Sequence, residues 1–169
     1  MEYWIVYHLA TGAELWRASG VTGSASTQEL PEGLSLVVVP PQVLQGIELD
    51  LDMLRTMATE QIDAGAELVR QRFLTPGAGQ ALTYQRKEAE ARAWQADGLT
   101  VTPFLEAEAM ARGMTIEAVV AEVIRNADAW IKAGAAIEAK RMGAKAAAAS
   151  ATTLGGIVAA SKVDWTTFA

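Results

Sequence analysis

His8 is the only histidine in this chain of 169 residues, and cysteine is absent. Nucleophilic and metal chemistry draw heavily on those two residue types, so few catalytic sets can be assembled. His8 falls in a stretch that reads as a strand, with no obvious nucleophile beside it. It is better read as a packed or solvent-facing side chain than as a general base, and one strand-borne histidine supports no Ser-His-Asp arrangement. Glu106 and Glu108 are two positions apart, which points them to different sides of a helix, so they do not make a metal pair. Thr75-Pro76-Gly77-Ala78-Gly79-Gln80 is a glycine-containing loop that opens a helix, as a phosphate cradle does. It lacks the Gly-Lys-Ser/Thr ending that reaches phosphate and Mg²⁺, and a helix–helix turn is the simpler reading. The expectation is a protein with no catalytic residue, no metal and no cofactor: not an enzyme. A small ligand-binding module or carboxylate enzyme is the less favoured alternative.

The residues suited to docking are large aromatics. Trp4 and Trp16 are expected to share a face of a β-hairpin, covered by helices or offered to a partner. Trp130 sits in a helical seam and reads most simply as core. Truncating it to alanine would then cost about 3–5 kcal/mol. Trp165 and Phe168 close the chain, and residues of that size are expected to be docked rather than free. These five are the candidate partner-docking residues.

The elements that position them follow from periodicity and punctuation. Residues 3–10 are rich in aromatic and β-branched types and read as a strand. Thr11-Gly12 turns the chain, and residues 14–18 alternate as a second strand. Residues 34–39 make a third, closed by Pro40-Pro41. Asp50 and Asp52 mark a helix start, with a stripe of Leu54, Met57, Ala58, Ile62, Leu68, Val69 and Phe73. A helix over 80–96 follows, with Leu82, Tyr84, Ala91 and Trp94 as packing residues. Lys87, Glu88, Glu90 and Arg92 are expected to form its solvated face. Thr102-Pro103 caps a short helix that Gly113 stops. Thr115 opens the longest helix, where Ile116, Val123, Trp130 and Ile137 recur every seven residues and Val120, Ala127 and Gly134 accompany them. From 133 to 151, ten of nineteen residues are alanine, small enough for helices to approach closely. Thr152-Thr153 restarts a short segment through Leu154, Ile157 and Val158. The expected fold is α+β: a β-rich head over residues 1–46, then a helical bundle over 47–169.

Composition narrows the partners. Fourteen basic against twenty acidic residues leave a net charge of −6, and no basic stripe of the kind that binds nucleic acid is present. The densest basic group, Lys140, Arg141 and Lys145, is expected near a helix end, where cations offset the dipole. The absence of cysteine suits a reducing cytoplasm. No basic, apolar leader and no run long enough for a membrane span is visible.

A resemblance to a known group rests on Ile62-Asp63-Ala64, on Arg72-Phe73-Leu74-Thr75-Pro76-Gly77, and on Gln80, Tyr84, Lys87, Glu88, Ala89 and Trp94. The Ala-Trp-Ile, Ala-Ala-Ile-Glu and Arg-Met-Gly-Ala-Lys-Ala-Ala runs and the closing Asp-Trp extend it. The chain resembles small tail-associated and tail-fibre assembly proteins of tailed bacteriophages and prophages. Here the turn carries extra residues between its proline and Gln80. The resemblance implies a structural or adaptor protein of the tail tip, baseplate or fibre attachment, placed in the virion tail after assembly in the host cytoplasm. The alternative it implies is an assembly chaperone that binds the fibre tip. Its partners would be other tail proteins, with homo-oligomers also expected, and it transfers no catalytic residue.

Overall fold

The computed structural model describes residues 1–75 and 77–168; Pro76 of the expected helix–helix turn lies outside them. The protein is α+β. Strands β1 (Glu2–His8), β2 (Glu14–Gly20) and β3 (Leu34–Val39) precede helices α1 (Leu51–Arg70), α2 (Ala78–Ala96), α3 (Pro103–Arg112), α4 (Ile116–Ser150) and α5 (Leu154–Ser161). Contacts divide the chain into two compact units, one of residues 1–66 with 139–167 and one of residues 67–138 with Phe168.

The first unit is built on an antiparallel sheet in the order β2-β1-β3. The first strand is thus the central one, and Trp4, Ile5, Val6 and Tyr7 are all buried. Successive side chains leave a strand on opposite faces, so both faces of the sheet must be covered. On one face Ile5, Tyr7 and Val39 pack with Leu54, Ala58 and Ile62 of α1, Ala148 of α4, and Leu154, Ile157 and Val158 of α5. On the other, Trp4 and Val6 pack with Ala25, while Leu30, Leu34 and Leu36 close around them. Helices cover one face, and the loop between β2 and β3 covers the other.

Local chemistry fixes the ends of these elements. The Asp50 carboxylate accepts the Met53 N–H at 2.9 Å, which caps α1 as its position in the sequence predicts. Thr153 caps α5 by accepting the Gly156 N–H at 3.2 Å. Arg17 donates to the carbonyls of Gly46 at 2.7 Å and Ile47 at 3.0 Å, and so ties the segment leaving the sheet back to β2. Gly12, at φ +69°, turns the β1–β2 hairpin, and its carbonyl accepts the Gly155 N–H at 2.9 Å. A Cβ on Gly155 would run into the Gly12 backbone. The start of α5 therefore reaches the hairpin because neither residue carries a side chain.

The second unit is helical. Ala91 of α2, Leu105 and Ala109 of α3, and Val119 and Val120 of α4 form its core, with Trp94, Ile116, Val123 and Ile124 partly buried against it. Gly113, left-handed at φ +62°, ends α3, and the Met114 N–H bonds back to the Ala109 carbonyl at 3.0 Å. Thr115 then accepts the Ala118 N–H at 3.3 Å to open α4. At 35 residues, α4 is about 52 Å long. Its seven-residue seam is the protected side of the helix: Val120 and Ile137 are buried, and Ile116, Val123, Ala127, Trp130 and Gly134 are half-buried.

Several expected packing positions differ. Leu68 and Phe73 are exposed, because the buried stripe of α1 runs Leu54, Ala58, Ile62, Ala66, Val69 and the helix ends at Arg70. Leu82 and Tyr84 of α2 are also exposed. Helix α4 continues to Ser150, well past the basic group near its end, and its last turn holds no cation. Arg141 bonds instead to Asp63, and Lys145 lies 2.8 Å from the same carboxylate. These cations bind a neighbouring helix within the first unit rather than offsetting a helix end.

Candidate functional site

His8, Glu106 and Glu108 each have a structural engagement. His8 ends β1, and its Nδ1 accepts the Ala10 N–H at 3.1 Å within the hairpin turn. Glu106 turns back on the start of its own helix, 3.3 Å from the Thr102 N–H and hydroxyl. Glu108 lies 2.6 Å from Lys87 Nζ and 2.9 Å from Arg112. The adjacent Lys87 ammonium, followed by the Arg112 guanidinium, holds the Glu108 carboxyl below its ordinary range against the opposing effect of burial. Arg112 continues to Glu122 at 2.8 Å, and this bond, followed by that to Glu108, raises its already high pKa. The result is a chain of alternating charge across α2, α3 and α4. Among the described residues, no group of three or more metal-ligating side chains converges, and no helix is long and apolar enough to cross a membrane.

Glu90 was expected in a solvated face and is instead 4% exposed. Its Oε2 accepts the N–H groups of Phe104 at 3.0 Å and Leu105 at 3.3 Å, and Arg86 Nε lies 3.1 Å from Oε1. Those two N–H groups belong to the first turn of α3. The local cap, Thr102, accepts none of them with its side chain. A carboxylate from α2 thus caps α3 and sits at the positive end of its dipole. The Glu90–Arg86 spacing is that of a surface pair, so sequence periodicity carries no sign of this role.

The five candidate docking residues separate. The strand register puts Trp16 opposite Val6 and Trp4 opposite Ala18, so the two tryptophans share a face as expected. Trp4 is buried there beneath the 20–33 loop, while Trp16 is 44% exposed. On the far edge strand, Val38 is 45% exposed on the same face. Trp130 is half-buried rather than in a core cluster, with its ring centroid 6.2 Å from that of Phe73. Its truncation is therefore expected to cost about 1–2 kcal/mol in a denaturant titration, below the ~3–5 kcal/mol of a fully buried aromatic. Trp165 is half-buried against the sheet–helix core, where its indole lies so close to Gly65 that a Cβ there would strike it. Phe168 is also half-buried. Both closing aromatics are partly covered, as their size predicts.

Other exposed apolar side chains were not singled out by sequence. Leu99, Val101 and Phe104 stand 90%, 76% and 44% exposed where α2 passes into α3. An open groove of about 570 Å³ in the second unit runs along α4, lined by Trp94, Glu117, Val120, Ala121, Ile124 and Arg125 among others. Comparison of the chain with protein families, curated proteins and solved structures gives no match.

Proposed function

We propose that this protein is a structural or adaptor component of a bacteriophage tail that acts by docking to other tail proteins. The observation that carries the docking part is the presentation of large apolar side chains by a well-packed framework. Trp16 and Val38 flank one face of the sheet, and Leu99, Val101 and Phe104 crown the α2–α3 connection. Large apolar groups left exposed beside a packed core suit interaction surfaces more than they serve folding. The tail assignment rests on the sequence resemblance. Glu90, Glu108, Arg112 and Asp63 serve a cap and ion pairs between helices, which fits a scaffold whose output is shape.

Two measurements test this reading. Mass spectrometry of purified particles from the phage or prophage that encodes the chain should find it in the virion. Absence from particles, together with conversion of insoluble fibre into soluble trimer on co-expression, would favour the fibre-assembly chaperone and overturn the adaptor reading. Trp16→Lys should abolish capture of the tail partner while leaving the denaturation midpoint of the free protein nearly unchanged, because that side chain is already half in water.

A further inference from the structure

The groove along α4 is self-complementary about one residue. Glu117 and Arg125 lie four positions before and four after Ala121, and all three are exposed on one side of the helix. Among the described residues neither Glu117 nor Arg125 makes an ion pair, although most other charges of this unit are paired. Glu117 also sits in the first turn of α4, where a carboxylate suits the dipole whether or not a partner is present. That accounts for Glu117 but not for Arg125, whose charge acts on Glu122 without an ion pair between them.

We infer that the occupant of this groove is a second copy of the chain, with two α4 helices crossing antiparallel at Ala121. A two-fold axis through that residue sets Glu117 against Arg125 of the other copy, and the converse pair forms by the same operation. It also sets Ile124, a half-buried residue of the groove lining, against the small exposed Ala118 of the other copy, twice. Alanine at the crossing point lets the backbones approach closely. Asp128 falls opposite Met114, and its charge is already answered by Arg92 at 2.7 Å, so the symmetric arrangement buries no unanswered acid. A different partner helix would have to carry the same opposite charges eight positions apart in reversed order. This chain supplies that pattern itself. The inference does not depend on the tail assignment.

Light scattering of the full chain over a concentration series tests it, with circular dichroism to verify folding. Wild type should move from monomer toward dimer as concentration rises. Glu117→Arg and Arg125→Glu each place like charges together at both ends of the crossing, and each should weaken dimerisation by about tenfold or more. The double swap, Glu117→Arg with Arg125→Glu, should restore it. Because the chain has no cysteine, Ala121→Cys gives a single thiol on the proposed axis, and oxidation should link it to its own counterpart. A wild type that stays monomeric at its solubility limit would overturn the inference. So would a dimer indifferent to the single charge reversals, or a double swap that fails to recover.

Discussion

At the scale of single residues, Glu90, Asp63 and Glu108 act as fasteners between elements. Glu90 has the largest expected effect, because it is buried and holds two N–H groups of another helix. Glu90→Ala would leave those donors without an acceptor in a dry site, a loss of about 1–3 kcal/mol in urea unfolding. Glu90→Gln keeps one acceptor oxygen and should lose less. Equal losses for both variants would mean that the charge, not the cap, matters. Asp63 makes a pH prediction. The Lys145 hydrogen bond first, and that of Arg141 second, hold its carboxyl below the ordinary range. A folded value below the unfolded one of about 3.9 contributes stability that is complete above the unfolded value. That contribution disappears as pH falls through the lower folded value. The Asp63 side chain is 42% exposed, so screening keeps its share below about 1 kcal/mol. Asp63→Asn should lower stability slightly at neutral pH and reduce the drop in urea midpoint on acidification. An unchanged acid dependence would remove Asp63 from the account.

At the scale of elements, the close approach of the hairpin turn and α5 is the most sensitive joint. Gly155→Ala ordinarily gains about 1 kcal/mol of helix propensity. Here the added methyl meets the Gly12 backbone, and overpacking of that kind costs about 1–3 kcal/mol. Net destabilisation is the expected outcome, read from the thermal midpoint, and a stabilised variant would show that α5 can shift to make room. Elements with local signals were legible in the sequence. Asp50, Pro103, Gly113, Thr115 and Thr153 act within a turn of their own position, and they bound helices where the residue pattern places them. Positions decided by distant neighbours were not legible. Glu90 looks like half of a surface pair because its real partners lie fourteen and fifteen residues away. The seven-residue recurrence through Trp130 reports which side of α4 faces inward but not how deep that side lies. The docking residues divide in the same way. Trp16 and Trp4 share a face by strand alternation, yet only the path of the 20–33 loop decides which one reaches water.

At the scale of the whole molecule, the core of the first unit joins segments far apart in the sequence. The side chains of Leu154, Ile157 and Val158 complete the cover over Ile5 and Tyr7. Deleting residues 152–169 should therefore unprotect the central strand. Amide exchange at residues 4–7 is expected to accelerate by about a hundredfold or more, since those N–H groups would open with local rather than global unfolding. Retained protection would mean that α1 and α4 cover the sheet adequately alone.

The position of β1 at the centre of the sheet also has a consequence in time. On the ribosome, β1 emerges before either strand that pairs with it, and α5 follows only after four other helices have been made. Non-local closure of that kind is slow, and until α5 arrives a nascent chain would carry an incompletely covered apolar ribbon. Its most vulnerable interval is therefore its own synthesis, and cells short of trigger-type chaperones should lose more of this protein as aggregate than as misassembled product.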